Sequence, residues 1–140
     1  MKLKQVLDVQ QMQHLQELGL ELKETMLYWV VYEAGHENNF VTTKENAMEV
    51  IDESCGMLPA YTLQDVLDAL PIEIKYKDKR CWLCIELADE MIGYYYENAR
   101  FEHRWVYYEV VMIDESLIDA VYKLLCWAIE QGYVETNKNE

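Results

Sequence analysis

The segment from Pro59 to Pro71 specifies a short helix together with both of its ends. Thr62 suits the N-cap position, and Asp65 three residues later can accept a hydrogen bond from the backbone of the cap. Four apolar residues follow at helical spacing, at Leu63, Val66, Leu67 and Leu70. Pro71 has no backbone N–H and cannot continue the helical hydrogen bonds. One apolar face between two encoded ends predicts a surface helix that packs on a hydrophobic core.

A period of two residues begins directly after this helix and continues to Ile113. Residues 72–76 alternate between apolar and charged side chains, which is typical of a strand with one buried face. Short turns separate four such runs, at 72–76, 81–87, 91–97 and 103–113. Consecutive strands joined by short turns usually pair as hairpins, so these four runs predict an antiparallel meander.

Helix caps and apolar spacing predict the remaining elements. Helices are expected from Asp8 to Leu18, over residues 43–54 and between Ser116 and Gly132, strands over residues 3–7 and 26–33, a turn at 35–39 and a loop at 55–59. The helix at 43–54 depends on Thr42 as its cap, with Glu45 three residues later. Together these elements predict a single α+β domain over residues 1–134, followed by a polar tail at 135–140. Its antiparallel sheet would contain about four to six strands and carry the helices on one face.

The formal net charge of −14 limits the class of partner. A surface with this charge repels phosphate, so we expect binding neither to nucleic acid nor to a membrane. Lys44 and Lys75 enclose a stretch that contains no basic residue. The acidic residues of that stretch are Glu45, Glu49, Asp52, Glu53, Asp65, Asp68 and Glu73. A solvated acidic face explains them most simply, and the functional alternative is a contact surface for a basic protein partner, including a mimic of nucleic acid.

Aromatic residues are concentrated in two adjacent strands of the predicted meander. The chain contains 11 Tyr and 4 Trp, whose side chains combine an apolar ring with a polar group. Alternation predicts Tyr94 and Tyr96 on one side of the sheet and Tyr95 on the other. Cross-strand pairs would stabilise the sheet, and a row left exposed would suit a protein partner or a second copy of the chain. The candidate contact residues are Tyr94, Tyr96, Trp105 and Tyr107.

The four cysteines raise the alternative of a thiol or zinc protein. Cys81 and Cys84 form a C-x-x-C pair that Cys55 or Cys126 would have to complete. The pair lies within a predicted strand, however, where residues three apart point to opposite faces. A redox pair instead requires the first thiol at a helix N-terminus, and zinc requires two further ligands at suitable spacing. Small buried side chains are the favoured interpretation, and the thiol or zinc protein remains the alternative.

The sequence contains no residue pattern typical of an enzyme. The adjacent acids Asp89–Glu90 and Asp114–Glu115 lie at a predicted turn and ahead of a predicted helix, where local structure favours carboxylates. The three histidines lack metal-binding spacing, and neither a nucleophile elbow nor a phosphate-binding glycine loop occurs. We therefore expect no catalytic residue, no cofactor and no metal. No apolar run is long enough for a membrane span and no targeting segment is found, so we expect a cytoplasmic protein.

Residues 59–133 carry a resemblance to a known group of proteins. The helix PAYTLQDVLDALP, the strands after it and the final segment ESLIDAVYKLLCWAIEQGY resemble small acidic proteins of bacteroidete gut bacteria and of their phages and prophages. That group has no assigned activity, and the shared motifs are structural. The resemblance implies an accessory protein of a mobile element and carries over no catalytic residue. We expect a non-enzymatic protein that acts through protein–protein contact, with a homo-oligomer as one form of that contact.

Overall fold

A computed structural model describes residues 3–137 of the chain, which contain four α-helices and seven strands. In chain order the elements are α1 (Val9–Glu17), β1 (Leu27–Tyr32), a 3-10 turn (His36–Asn38), β2 (Phe40–Thr43), α2 (Lys44–Val50), β3 (Cys55–Pro59), α3 (Leu63–Ala69), β4 (Glu73–Tyr76), β5 (Lys79–Glu86), β6 (Met91–Glu97), β7 (His103–Val110) and α4 (Leu117–Glu130). Helices together with antiparallel sheets confirm the expectation of an α+β fold. Within residues 3–137 no helix is both long enough and apolar enough to cross a bilayer.

The strands divide between two sheets. β4, β5, β6 and β7 pair in chain order, which confirms the predicted meander. β2, β1 and β3 form a second sheet with β1 at its centre, and β2 is absent from the sequence-based prediction. The loop predicted over residues 55–59 is wrong, because this segment is β3 and pairs with β1. Gly56 and Pro59 conceal the strand in the sequence, and they are tolerated because β3 lies at the edge of its sheet.

The strand predicted over residues 3–7 is also wrong. Val6 forms one isolated bridge with Thr62. Leu7 is fully buried, and its backbone N–H donates to Tyr61 O at 2.9 Å. The segment is therefore attached at two points to the residues ahead of α3, instead of pairing along a strand.

Residues 43–54 contain a helix shorter than the predicted one. Thr43 rather than Thr42 is the N-cap of α2. After this helix, Asp52 Oδ1 accepts hydrogen bonds from the backbone N–H and the hydroxyl of Ser54, at 2.7 and 2.6 Å. Such local side-chain bonds favour a turn over further helix, which explains why α2 ends early.

The predicted helix caps at Asp8, Thr62 and Ser116 are confirmed. Asp65 Oδ2 accepts from the backbone N–H of Thr62 at 2.9 Å, and Thr62 Oγ1 accepts from the backbone N–H of Asp65 at 3.3 Å. Asp8 and Gln11 form the same reciprocal arrangement at α1, and Ser116 caps α4. A cap of this kind contributes about 1 kcal/mol to stability. The residues that mark these helix ends in the sequence therefore also form them in the structure.

One hydrophobic core joins α1, α3 and α4 to a single face of the four-stranded sheet. Its fully buried side chains include Met12, Leu15, Val66, Ile92, Tyr94, Leu124 and Leu125. A smaller cluster packs α2 against the three-stranded sheet and consists of Tyr28, Val30, Ala47 and Cys55. The helices α1, α3 and α4 pack on one face of β4–β7, which confirms the prediction of an antiparallel sheet that carries helices on one face. We call this face of the four-stranded sheet the inner face, and the opposite one the outer face.

The chain returns to the end of α1 after α4. Val134 is buried, and the backbone N–H of Asn137 donates to Gly19 O at 2.9 Å. The first residues of the predicted polar tail at 135–140 therefore lie against the domain, and residues 138–140 of that tail lie outside the described residues.

Asp119 in the first turn of α4 ties this helix to the N-terminal segment. Its carboxylate accepts hydrogen bonds from Lys4 Nζ, Gln11 Nε2 and Ser116 Oγ, each at 2.8 Å. Burial alone would raise the pKa of Asp119, but these hydrogen bonds and the charge of Lys4 outweigh it and hold the pKa below its usual value. The ionised carboxylate is therefore the form that stabilises the fold.

We expect the contribution of Asp119 to disappear at acid pH. Because its pKa is lower in the folded state, the stabilisation is complete above the unfolded-state pKa of about 4 and is lost as the pH falls through the folded value. Asp119→Asn should lower the free energy of unfolding by about 1–3 kcal/mol at neutral pH, and this difference should shrink below about pH 4. Urea titrations across this range measure it, with Asp114→Asn at an exposed carboxylate as the control. A difference that does not change with pH would contradict this account.

Candidate functional site

The outer face of the four-stranded sheet carries a row of aromatic side chains. Tyr94 pairs with Tyr107, and both contact the buried core on the inner face. The next row along the strands joins Trp82 of β5, Tyr95 of β6 and Trp105 of β7. Because successive residues of a strand point to opposite faces, Tyr95 and its two partners lie on the outer face.

These rings belong to one aromatic cluster, which consists of Trp82, Tyr95, His103, Trp105 and Tyr108. Ring centroids are separated by 6.2 Å for Trp82–Tyr95, 4.5 Å for Tyr95–His103, 6.2 Å for Tyr95–Trp105 and 5.8 Å for Trp105–Tyr108. All four pairs are tilted or edge-on, an arrangement that aromatic rings prefer to direct face-to-face contact. Trp82 and Tyr108 remain 36% and 47% exposed. The cluster is therefore packed within itself but open to solvent.

A β-bulge in β7 determines which aromatic side chains join the cluster. Tyr94 pairs with Tyr107 and Tyr95 pairs with Trp105, which leaves Val106 as an extra residue. Simple alternation would place Trp105 and Tyr107 on the same face. The bulge instead leaves Trp105 on the outer face, while Val106 and Tyr107 contact the core.

Of the four aromatic residues predicted as contact residues, the structure places one on the outer face. Trp105 belongs to the aromatic cluster. Tyr94 is fully buried and donates to a backbone carbonyl at 2.7 Å, and Tyr107 stacks on a tryptophan of α4 with centroids 4.4 Å apart. Tyr96 is half-buried on the inner face. The cluster residues that the list of candidates lacks are Trp82, Tyr95, His103 and Tyr108.

Gly93 lets β6 and β7 approach closely beneath the cluster. It pairs with Tyr108 and is buried. A Cβ atom at this position would lie 2.6 Å from Tyr108 Cα and 2.8 Å from Tyr108 Cβ, and closer still to the carbonyl oxygen of Tyr107. These separations are well inside van der Waals contact. The missing side chain at Gly93 therefore sets the position of Tyr108 on the outer face.

The charged side chains of the outer face are nearly balanced. On the strands they comprise two cations and three anions: Lys75, Arg80, Glu73, Glu86 and Glu97. Arg80 pairs with Glu73 and lies 5.8 Å from the ring of Trp82, and its hydrogen bond holds the pKa of Glu73 below the usual value. Glu97 lies 3.9 Å from His103 Nε2. The outer face is thus close to neutral in a chain whose net charge is −14.

The acidic residues predicted as a contact surface lie in two groups, one at α2 and one on α3. Glu73 belongs to neither group, because it lies on β4 and forms an ion pair. Four are exposed on α2 and in the turn after it: Glu45, Glu49, Asp52 and Glu53. Two lie on α3 and line a cleft of about 670 Å³: Asp65 and Asp68. The cleft also contains Glu21, Glu24 and Glu135, which the sequence does not associate with α3. Thr25 Oγ1 donates to Asp65 at 2.7 Å, Lys44 pairs with Glu24, and Glu73 of β4 pairs with an arginine.

The four cysteines are free of disulfide bonds, and burial favours the neutral thiol at Cys81, Cys84 and Cys126. Cys81 is fully buried and Cys84 is half-buried, which agrees with the expectation that they face opposite sides of β5. Burial raises the pKa of both thiols, and it raises the pKa of Cys126 to about 11. A reactive thiol requires a lowered pKa. Within residues 3–137 no three His, Cys, Asp or Glu side chains are grouped to hold a metal ion. These features favour small buried side chains over the thiol or zinc alternative.

The two adjacent acid pairs stabilise local structure. Asp89 shares a hydrogen bond with Glu86, which raises the pKa of Glu86 in the turn between β5 and β6. Glu115 pairs with Lys123 at 2.7 Å and accepts from the backbone N–H of Met112 at 3.2 Å. One pair thus contributes to a turn and the other to the start of α4, in agreement with their predicted positions.

The position of the aromatic cluster in the fold identifies the candidate functional site. No protein-family model, no curated protein and no solved structure matches this chain. The core explains the buried aromatic residues, whereas the aromatic cluster lies on the side of the sheet that faces away from α4. The outer face is therefore the candidate functional site.

Proposed function

We propose that the protein is a non-enzymatic binding protein that acts through protein–protein contact, with the outer face of the four-stranded sheet as its contact surface. The aromatic cluster carries this proposal. Tyr and Trp side chains contribute much of the binding energy in many interfaces, because each buries a large rigid ring and keeps a polar group for hydrogen bonding. A half-exposed cluster of this size is typical of a surface that a partner covers.

The charge balance of the outer face supports the same assignment. An unpaired charge buried in an interface weakens binding, whereas Arg80 and Glu73 already neutralise each other. The rest of the chain is strongly acidic, so contacts elsewhere would favour a basic partner. A partner of the outer face would be bound through the shape and the apolar area of the aromatic cluster and not through opposite charge. A cytoplasmic location, and the accessory role in a mobile element that the resemblance implies, belong to the same proposal.

Tyr108→Ala is expected to weaken partner binding at least about tenfold while the domain stays folded. Tyr108 is 47% exposed at one end of the cluster, so its ring can contribute to an interface without being essential to the core. Loss of an aromatic side chain that carries much of the binding energy typically costs about 2 kcal/mol or more. Affinity capture of the tagged protein from a host lysate, followed by binding isotherms with each retained protein, measures the effect.

Phe40→Ala is the matched control for this experiment. Phe40 is an aromatic residue of β2 with 37% exposure, and it belongs to the other sheet. Its replacement should leave the affinity unchanged, and thermal unfolding establishes that both variants are folded. Equal affinities of Tyr108→Ala and the original protein would remove the outer face as the contact surface.

A second candidate function is contact with a basic partner through the acidic residues of α2, including mimicry of nucleic acid. Its support is the exposure of four carboxylates within one helix and the turn after it: Glu45, Glu49, Asp52 and Glu53. Binding of this kind weakens steeply as salt rises, because ions screen the charges, whereas apolar contact depends little on salt. Capture at low and high salt, with Glu45→Gln/Glu49→Gln compared with Tyr108→Ala, separates the two candidates.

A further inference from the structure

We infer that the occupant of the outer face is a second copy of this chain. The two sheets would pack face to face about a two-fold axis that runs parallel to the strands, between β5 and β6. This inference rests on the proposed function, since self-association is one form of the contact proposed for this face. Its support comes from the arrangement of charged and aromatic residues across the strands.

The two central strands of the outer face, β5 and β6, are complementary to themselves under this two-fold axis. Trp82 of β5 pairs with Tyr95 of β6, and continuation of this register by two residues places Arg80 beside Glu97. The axis places β5 of one copy over β6 of the other. Arg80 of each copy then faces Glu97 of the other copy, and Trp82 faces Tyr95. One operation therefore forms two ion pairs and two aromatic contacts, as an isologous interface requires.

The ionic partners of this interface are exposed, and each can make a further contact beyond those within its own chain. The side chains of Arg80 and Glu97 are 71% and 48% exposed. The contact of Glu97 within the chain is with His103 at 3.9 Å, which is long for an ion pair. Arg80 pairs with Glu73 at the edge strand β4, and a planar guanidinium has further donors for a second carboxylate.

For contact between two copies, the net charge favours this face over the acidic surfaces of α2 and the cleft at α3. Two chains of −14 repel each other, and the repulsion is smallest where the approaching surfaces are close to neutral. A basic partner would be attracted to the exposed carboxylates of α2 or the cleft at α3 in preference to a balanced face. A nucleic acid would be repelled by the whole chain. A second copy is thus the occupant that fits both the neutral face and the acidic remainder.

The size of the face predicts a reversible dimer. Four strands spaced about 4.8 Å apart, with an average length of about seven residues, present a flat projection of about 19 by 23 Å. Two such faces amount to about 900 Å², which is below the range of about 1,200–2,000 Å² that stable specific interfaces bury and falls among weak, transient contacts. We therefore expect a dimer that forms in the micromolar range and dissociates on dilution.

Sedimentation velocity across a concentration series tests the inference through a charge exchange. The original protein should show a concentration-dependent dimer. Arg80→Glu and Glu97→Arg should each raise the dimer dissociation constant at least about tenfold, because like charges then face each other across the axis. The combined variant Arg80→Glu/Glu97→Arg should restore the dissociation constant to within about threefold of the original, since it re-forms the ion pairs in reverse. Lys23→Glu, which changes the net charge by the same amount as Arg80→Glu at an exposed residue before β1, should leave dimerisation unchanged.

Each result decides for or against this dimer. A dimer weakened by both single changes and restored by the combined one supports the inference. A protein that stays monomeric throughout the series overturns it, as does a dimer that neither single change weakens, or one that the combined change fails to restore. The proposed function fails separately, when Tyr108→Ala leaves the binding of every captured partner and the self-association unchanged.

Discussion

Gly93→Ala is expected to lower the free energy of unfolding by about 2–3 kcal/mol, because the added methyl group has no space. It would lie 2.6 Å from the backbone of Tyr108 and closer to the carbonyl oxygen of Tyr107. Backbone atoms of a paired strand cannot turn away as a flexible side chain can. β6 and β7 would have to separate, which disturbs the stacking of Tyr107 on Trp127 as well as the position of Tyr108.

Gly56→Ala is the control for this measurement. Gly56 lies in β3, and a Cβ atom built there has no other atom within 4 Å. The same chemical change should therefore alter stability by less than about 0.5 kcal/mol. Urea denaturation followed by far-UV circular dichroism measures both variants. Equal stabilities of the two variants would show that β6 and β7 do not approach as closely as described.

Leu124→Ala is expected to cost about 3 kcal/mol of stability, within the range of about 2–5 kcal/mol for buried leucines. Leu124 has no exposed surface and belongs to the core that joins α4 to α3 and the inner face. The substitution loses the transfer free energy of three carbon atoms and leaves a cavity that rigid neighbours fill only in part.

Leu87→Ala provides the comparison for the core substitution. Leu87 is 71% exposed in the turn between β5 and β6, so its truncation should change the free energy of unfolding by less than about 0.5 kcal/mol. Denaturation by urea, with an unchanged slope for both variants, measures the difference. A similarly small loss in the free energy of unfolding for both variants would contradict the burial of Leu124 between α4 and the sheet.

Features set by neighbouring residues could be predicted from the sequence. Thr62 and Asp65 mark the start of α3 because a cap involves only residues within one turn. The hairpin between β4 and β5 was expected, and its turn lies at Lys77 and Asp78, between the two predicted strands. Both residues have positive φ, of 47° and 67°, as a two-residue hairpin turn requires. Lysine is an unusual residue there, so the sequence does not mark the turn.

The membership of the aromatic cluster could be predicted only in part, because it depends on contacts between strands. The opposite orientation of Tyr95 and its neighbours follows from alternation and is correct. The orientation of Trp105 depends on the bulge at Val106, which is a property of the pairing between β6 and β7. Likewise, Asp65 meets Glu24 in one cleft only because the loop after α1 folds back onto α3. The spacing of apolar residues along the sequence contains no information on either arrangement, because both depend on contacts between distant segments.

The bulge at Val106 also bears on how this surface can persist in evolution. Tyr94 already pairs with Tyr107 and Tyr95 with Trp105, so deletion of the Val106 codon would remove the bulge and leave both pairings in place. The residues from His103 to Trp105 would keep their face of the sheet, and so would those from Tyr107 onward. A lineage can therefore gain or lose one residue at this point of β7 without losing the aromatic surface.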